Sequence, residues 1–243
     1  WDYDAQMKSA EGAAKLKKLM ALRPQIITND RLHHDFPGDT KTPEQAIPDR
    51  NTVEGQNWET CMTMNSSWGY KKSDNSWKSS ETLIKNLVRI ASRGGNYLLN
   101  IGPRPDGTFP EESVKRLKDI GKWMNVNGEA VYGTKASPLG ILPWGECTAK
   151  GVKSNTILYL SVFEWPRNGQ LTVPGLKNKV VSAKLLANGT RLKTLTTNDG
   201  IIIELPESAP DAIVSVVRLE VKGLVKREVG VASMKQMQTG AID

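Results

Sequence analysis

The chain has 243 residues, of which 38% are hydrophobic and 24% charged, so it can bury a core of ordinary size and has the composition of a globular protein. No apolar run approaches the roughly 20 residues needed to cross a bilayer, so a membrane-spanning helix is not expected. The net charge of +7 would suit nucleic acid, but the lysines and arginines are dispersed, so a nucleic-acid partner is not expected and a basic nucleic-acid-binding domain stays only as an alternative.

The first predicted element is a helix from about Ala5 to Leu22, which leads into a short strand at Ile26 and Ile27. Three apolar side chains fall on one face of that helix: Leu16, Leu19 and Met20. The segment that follows, up to Arg50, is rich in Pro, Gly, Asp and Thr. Long irregular loops after a strand usually carry function, so this segment is predicted to be an active-site loop.

A second amphipathic helix is predicted in "SSETLIKNLVRIASRGG", with Ser79 or Ser80 as its N-cap and the Gly-Gly pair at its end. Its apolar side is formed by Leu83, Ile84, Leu87, Val88 and Ala91. "NYLLNIGP" is predicted to be a buried strand that Pro103 ends, and "PEESVKRLKDIGKWMNVNG" a helix that Pro110 opens. The residues expected to point inward from this helix are Val114, Leu117, Ile120 and Met124. Strands that alternate with amphipathic helices predict a parallel α/β architecture.

After about Tyr132 the pattern changes to short strands separated by Gly, Pro, Asn and Asp. Five strand candidates are "TILYLSVFEW", "GQLTVPGL", "VVSAKLLANG", "GIIIELP" and "DAIVSVVRLEV". Strands at this spacing predict an antiparallel β-sandwich. The expected organisation is therefore an α/β catalytic part over residues 1–134, a β-sandwich domain over 137–222 and a tail over 223–243.

Several polar residues lie where the predicted strands end, which is where the catalytic groups of an α/β barrel gather. Asp2 and Asp4 precede the first helix, Arg31 follows the strand at Ile26, and Glu44 lies in the loop beyond. Two carboxylates and an arginine on one rim suit glycoside hydrolysis, in which one carboxylate attacks the anomeric carbon and the other transfers a proton. Three aromatic residues offer flat apolar faces to a sugar ring: Trp58, Trp68 and Tyr70.

Three motifs carry a family resemblance: "NWETCMTMNSSWGY", "SRGGNYLLNIGPRPDGTFP" and "IGKWMNVNGEAVYGT". In this order and spacing they closely resemble the α-L-fucosidases of glycoside hydrolase family twenty-nine, and the similarity runs from Trp1 to about Lys222. The resemblance implies a retaining exo-hydrolase that removes terminal α-L-fucose from glycans by double displacement and needs no cofactor. The fold that it implies is α/β, with the C-terminal part of a (β/α) barrel followed by an antiparallel β-sandwich domain.

The resemblance also assigns the two catalytic carboxylates. Asp2 matches the family's nucleophile, while Asp4 is a competitor that strand alternation would place on the same face. Either aspartate would alternatively serve only to cap the first helix. Glu44, in "TKTPEQAIP", resembles the general acid/base of bacterial members. Its rival is Glu59 in "NWETC", a carboxylate considered for this role in animal-type enzymes, but its place beside Trp58 favours a buried residue that orients its neighbours.

Two further residues match groups that bind the sugar in the family. Arg31, in "TNDR", resembles an arginine that binds the ring hydroxyls of fucose, since a guanidinium fork can donate to adjacent oxygens. The alternative for Arg31 is a structural ion pair with Asp30 or Asp35. Trp68, in "NSSWGY", matches an aromatic residue that packs against the C5 methyl group of fucose, and its alternative is a plain core position.

No metal site or disulfide is expected from the sequence. His33 and His34 have no third ligand at a suitable spacing, so they are expected on the surface of the loop. Cys61 and Cys147 lie far apart, without a CxxC motif or a neighbouring histidine cluster.

The sequence departs from the family in one respect, because it starts at the nucleophile strand and lacks the front half of the catalytic barrel. We therefore expect a missing N-terminal half, in the same or a separate polypeptide, without which the chain is not an efficient enzyme. The alternative is a non-catalytic carbohydrate-binding remnant. The expected partner is a fucosylated glycan, the oligomeric state stays open, and no leader is present. Secretion or a periplasmic location is expected, with the lysosome as the alternative.

Overall fold

In the computed structural model, which describes residues 10–31 and 38–226, the chain divides into two compact units, Trp1–Asp119 and Ile120–Asp243. The helices are α1 (Ala10–Ala21), α2 (Arg50–Val53), α3 (Ser80–Ser92) and α4 (Glu111–Asn127), followed by a 3₁₀ turn at Gly128–Ala130. The strands are β1 (Glu59–Thr63), β2 (Asn96–Asn100), β3 (Gly145–Val152), β4 (Asn155–Val162), β5 (Gln170–Pro174), β6 (Val180–Leu185), β7 (Thr194–Thr197), β8 (Gly200–Glu204) and β9 (Ser215–Lys222).

The first unit is built on parallel chain segments. Strands β1 and β2 pair in parallel, with Cys61 opposite Leu98. The preceding chain extends this arrangement through three parallel bridges: Asn29 to Thr40, Lys41 to Trp58, and Glu44 to Cys61. This parallel pairing, together with α3 between β1 and β2, confirms the predicted α/β character of the region.

Helix α3 begins and ends where the sequence predicts. The Ser79 hydroxyl accepts a hydrogen bond from the Thr82 N–H at 3.0 Å, which is a standard N-cap. At the other end the Gly95 N–H donates to the Ile90 carbonyl at 3.0 Å. A Cβ atom at Gly95 would lie 2.3 Å from the ring of Trp58, so only glycine allows this close packing.

The two faces of β1 differ in burial. Trp58, just before the strand, and Met62 are buried, and Trp58 packs in a cluster with Val53 and Ile90. Successive side chains of a strand point to opposite sides, so Glu59 and Cys61 lie on the other face, where both are only partly buried. This half-exposed face carries the candidate site.

Several local predictions for the first unit are wrong. Ile26 and Ile27 form no strand: both are exposed, and the N–H of neighbouring Thr28 is bound by the Asp39 carboxylate at 2.8 Å instead of a strand partner. Strand β2 is not buried, because Leu98 is 51% exposed on the half-exposed face. Helix α1 buries Leu16 but exposes Leu19. In α4, Leu117 is exposed, and the buried positions are Ser113, Trp123 and Asn127.

The second unit contains two antiparallel sheets, with strand orders β3-β4-β9-β6 and β5-β8-β7. Side chains from both sheets share one hydrophobic core. The four-stranded sheet contributes Leu158, Leu160, Val217 and Leu219, and the three-stranded sheet contributes Leu171, Val173, Ile201 and Ile203. The five predicted strand segments correspond to β4, β5, β6, β8 and β9.

Two strands of the second unit were not predicted. The sequence of β3, GECTAKGV, has few apolar residues, but the strand pairs with β4 along its whole length, from Gly145 opposite Val162 to Val152 opposite Asn155. Strand β7 has only four residues and lies at the edge of its sheet. Both strands are specified by their partners more than by a periodic pattern of their own.

A partly buried polar network lies around the buried Tyr159 of β4 and Arg218 of β9, on the side of the sheet opposite this core. The Tyr159 hydroxyl donates to Glu129 at 2.7 Å, and Arg218 Nε lies 3.4 Å from the same carboxylate oxygen. Arg218 also pairs with Glu220, which accepts from Asn155 at 2.7 Å. Burial, and then the hydrogen bond to the Glu129 carboxylate, raise the pKa of Tyr159 well above its ordinary value of 10.0.

This network predicts how stability depends on pH. Replacing Tyr159 by phenylalanine should lower the free energy of unfolding by about 1.5 kcal/mol at pH 7, since a hydrogen bond from a buried hydroxyl to a partly exposed carboxylate is lost. The folded pKa is raised, so the contribution of Tyr159 is complete below pH 10 and is lost as the unfolded tyrosine ionises above it. The difference between the two proteins should therefore shrink between pH 10 and pH 11, by up to about 1.4 kcal/mol. Urea denaturation at pH 8, 10 and 11 measures this difference in the free energy of unfolding.

The matched control is Tyr132→Phe, because Tyr132 is 69% exposed. This variant should be as stable as the wild type at all three pH values. A Tyr159 effect that stays constant from pH 8 to pH 11 would contradict the raised pKa.

Candidate active site

A cleft of about 430 Å³ opens on the half-exposed face of β1 and β2. Its lining consists of Asn29, Arg31, Thr42, Glu44, Glu59, Cys61, Trp68 and Leu98. Four of these were candidates from the sequence: Arg31, Glu44, Glu59 and Trp68. They come from distant parts of the chain, and the parallel arrangement of the first unit brings them into one cleft.

Arg31 is the most extensively bonded of the four. Its side chain is only 14% exposed, and Nη2 lies 3.1 Å from Oε2 of Glu44. The guanidinium also donates from Nε to the Thr42 hydroxyl at 3.0 Å and from Nη2 to the Cys61 sulfur at 3.4 Å. Asp30, an alternative partner, accepts instead from the N–H and the hydroxyl of Thr42, at 3.0 and 2.7 Å. Arg31 is thus held beside Glu44 with its guanidinium at the cleft.

The segment that carries Glu44 is tied to β1 by backbone hydrogen bonds on both sides. The Cys61 N–H donates to the Pro43 carbonyl at 3.2 Å, and the Gln45 N–H donates to the Cys61 carbonyl at 2.9 Å. One residue further, the Thr60 hydroxyl donates to the Ala46 carbonyl at 2.7 Å. Glu44 therefore lies on a segment fixed against a strand, although the sequence places it in a loop.

Gln45 is a residue that sequence reasoning missed. It has a φ angle of 55°, in the left-handed region that residues other than glycine rarely adopt. Its side-chain amide donates to the Thr63 hydroxyl at 3.1 Å and accepts from the Thr63 N–H at 3.3 Å. Backbone strain of this kind costs energy and persists where the surroundings impose it. Here the bonds to β1 impose it next to Glu44, and no motif in the sequence signals it.

Thr63 also connects this segment to the loop that carries Trp68. The Lys78 ammonium group donates to the Thr63 carbonyl at 2.7 Å and to the Asn65 carbonyl at 3.2 Å. Burial lowers the pKa of Lys78. Further along the loop, the Asn100 amide donates to the Trp68 carbonyl at 2.7 Å, so the Trp68 backbone is fixed to the end of β2.

Comparison with known proteins identifies the family. The family model "Alpha-L-fucosidase" matches residues 1–129 of the chain. The tissue α-L-fucosidase of Mus musculus is 30% identical over 229 residues, which cover 86% of this chain and 48% of the mouse protein. The chain belongs to the α-L-fucosidases of glycoside hydrolase family twenty-nine. The plasma α-L-fucosidase of Homo sapiens is 33% identical over 76% of this chain and 42% of its own length.

Solved α-L-fucosidase structures superpose on most of this chain. Isoenzyme 1 from Paenibacillus thiaminolyticus superposes with a TM-score of 0.79 at 28% identity, covering 91% of this chain and 56% of its own. A Bacteroides thetaiotaomicron enzyme, solved as a trapped covalent intermediate, gives a TM-score of 0.78 at 29% identity, with 89% and 54% covered. The chain spans about half the length of the curated relatives that it matches.

The three aromatic residues that the sequence suggested as sugar-binding groups of this α-L-fucosidase chain differ in burial and in the pocket that they line. Trp68 is 40% exposed and lines the cleft, so it is not a core residue. Trp58 is 2% exposed beneath β1, so its proposed role as a sugar platform is wrong. Tyr70 is 39% exposed and lines a second pocket.

The two glutamates of the α-L-fucosidase cleft differ in their partners. Glu44 is paired with Arg31. Glu59 is partly buried and lines the same cleft, whereas the sequence predicted a buried residue that orients its neighbours. Within residues 10–31 and 38–226, no hydrogen bond or ion pair engages the Glu59 carboxylate, which leaves it available to a ligand.

Some predicted site residues lie outside the described residues: Asp2, Asp4, His33, His34 and Asp35. Within the described ranges, no group of three His, Cys, Asp or Glu side chains is arranged to hold a metal ion. The described helices also include none that is long and apolar enough to span a membrane.

Proposed function

We propose that the full-length natural protein is a retaining exo-α-L-fucosidase that removes terminal α-L-fucose from glycans. The observation that carries the proposal is the cleft that unites Arg31, Glu44, Glu59 and Trp68 on a chain of this family. The covalent intermediate trapped in the Bacteroides enzyme supports the retaining mechanism, because a covalent glycosyl-enzyme belongs to double displacement and not to single displacement.

In the proposed reaction, the Asp2 carboxylate attacks C1 of fucose while Glu44 protonates the departing glycosidic oxygen. Glu44 then removes a proton from the water that attacks C1 and releases fucose with its original configuration. Arg31 donates hydrogen bonds to ring hydroxyls, and Trp68 provides the apolar wall for the C5 methyl group. No step requires a metal or an organic cofactor.

We also propose a division of the chain into two domains and a tail. Residues 1–134 form the C-terminal part of a (β/α) barrel, residues 137–222 a β-sandwich domain, and residues 223–243 a tail. The parallel segments of the first unit and the shared core of the two antiparallel sheets support this assignment. The partners are a fucosylated glycan and the front half of the barrel. The name of the human relative, plasma α-L-fucosidase, supports the proposed secreted location.

The stereochemistry of the reaction tests the function. The full-length natural protein should hydrolyse an aryl α-L-fucoside, and proton NMR recorded within the first minutes should show α-L-fucose before mutarotation. Initial release of the β-anomer would contradict double displacement. Binding of fucosylated glycan without any turnover would instead support the carbohydrate-binding remnant.

Gln45 should affect the rate without contacting the sugar. Replacing it by alanine removes the amide that holds Thr63, which should lower kcat about tenfold and change KM little, because small misplacements of a catalytic group reduce the rate steeply. Gln45→Asn tolerates a positive φ but its amide is one methylene shorter, so it should not restore the rate. Steady-state kinetics with an aryl fucoside measure both.

The matched control for Gln45 is Gln56→Ala, an exposed glutamine outside the cleft. This variant should keep the wild-type rate. Full activity in Gln45→Ala would show that the hydrogen bonds between the Gln45 amide and Thr63 do not position Glu44.

A further inference from the structure

A second pocket, of about 230 Å³, lies where the loops that follow β1 and β2 meet the start of α4. We propose that it is a subsite for the neutral sugar to which the fucose is attached. The inference rests on the proposed fucosidase function and extends it, because it specifies the side of the cleft where the rest of the glycan binds.

Two connections link the lining of the pocket to the lining of the candidate fucose site. Trp68 lines the cleft, while the next two residues, Gly69 and Tyr70, line the pocket. Asn100 lines the pocket too, and its amide holds the Trp68 carbonyl at 2.7 Å. A sugar that is linked to a fucose packed on Trp68 therefore has the pocket as its neighbour.

The wall that carries Tyr70 is held by hydrogen bonds and close packing. The buried Asp74 carboxylate accepts from the Ser66 hydroxyl at 2.7 Å and from the Ser76 N–H at 3.0 Å, so it fixes both ends of the loop. The Ser76 hydrogen bond, followed by that of Ser66, holds the pKa of Asp74 below its ordinary value. On the other side, a Cβ atom at Gly102 would lie 2.8 Å from the Tyr70 backbone nitrogen. A preformed wall of this kind lowers the entropic cost of binding.

The side chains of the pocket suit a hydroxyl-rich, uncharged ligand. Tyr70 offers an aromatic ring that is 39% exposed. In the described part of the chain, the Tyr70 hydroxyl, the Asn75 amide and the Lys72 ammonium group form no hydrogen bond, so all three are available to ligand hydroxyls. The charged residues of the lining balance in number: Lys71, Lys72 and Arg104 against Asp74, Glu111 and Glu112. This balance favours a neutral sugar over an acidic one.

The test compares two substrates of the full-length natural protein. The first is an aryl α-L-fucoside, whose leaving group is not a sugar, and the second is fucosylated N-acetyllactosamine. The variants Tyr70→Ala and Asn75→Ala should each lower the ratio of kcat/KM for the oligosaccharide to kcat/KM for the aryl fucoside by about tenfold, since each removes contacts to the second sugar only. Circular dichroism checks that the variants are folded, and Tyr132→Ala, an exposed tyrosine outside both pockets, is the matched control.

A second measurement separates the pocket from the proposed reaction. Fucose-free N-acetyllactosamine should bind the wild-type protein, as measured by saturation-transfer NMR, and bind the Tyr70 and Asn75 variants more weakly. Sugar binding of this kind in a protein without fucosidase activity would overturn the proposed function but support the pocket. Fucosidase activity with an unchanged substrate ratio would overturn the pocket alone. Tighter binding of sialylated N-acetyllactosamine than of the neutral disaccharide would also overturn it.

Discussion

Turnover of an aryl α-L-fucoside by the full-length natural protein should fall by at least about a thousandfold when Asp2 is replaced by glycine. The proposed nucleophile is then absent, so no glycosyl-enzyme forms, and losses of this size are typical when a nucleophile is removed. Azide should restore turnover and give β-fucosyl azide, because the small anion attacks from the face that the carboxylate has vacated. The product is identified by the anomeric coupling constant in its proton NMR spectrum.

The comparison variant is Asp4→Gly, which tests the alternative left open by the sequence. If Asp2 is the nucleophile, the Asp4 variant keeps far higher turnover and yields no β-azide. The opposite outcome, with azide rescue at Asp4 and near-normal turnover at Asp2, would transfer the role to Asp4. It would also show that the family match was placed two residues too early.

The elements that the sequence predicted well are those with strong local signals. Helix α3 has both a serine cap and a diglycine end, and both boundaries were found. Strand β9, SVVRLEVK, has four apolar residues among its eight, and this strand signal was also found. Strand β3 was missed because its residues include two glycines and two charged side chains, and it is a strand because β4 provides a complete set of partners. Pairing between strands is non-local information that a periodicity search does not contain.

In the candidate site, too, the sequence predicted the residues but not the contacts that hold them. The family resemblance selected Arg31, Glu44 and Trp68, and the structure brings all three into one cleft. The contacts that hold them there were not predictable from motifs. Gln45 adopts a positive φ only because β1 binds the backbone and the side chain on either side of it. The ion pair between Arg31 and Glu44 depends on two segments that become neighbours through parallel bridges to Thr40 and Cys61.

The choice between Glu44 and Glu59 as the acid/base can be resolved by leaving-group dependence. Replacing the true acid/base by alanine should slow hydrolysis of fucosylated glycans by at least about a hundredfold, because a sugar oxygen must be protonated as it departs. An activated aryl fucoside needs little protonation, so it should still form the glycosyl-enzyme, and only the release of fucose should slow. Burst kinetics with the aryl substrate measure the two steps separately. We expect this behaviour in Glu44→Ala.

The product formed with azide distinguishes Glu44 from Glu59 as the acid/base. In Glu44→Ala it needs no general base, so it should attack the glycosyl-enzyme and give α-fucosyl azide, the opposite anomer to that from the Asp2 variant. Glu59→Ala is the matched comparison, since Glu59 lines the same cleft but is not paired with Arg31. It should lose activity on both substrates to a similar degree and yield no azide product. If instead Glu59→Ala gives the α-azide and Glu44→Ala retains activity on glycans, Glu59 is the acid/base. The pair between Arg31 and Glu44 would then serve to hold the arginine in place for fucose.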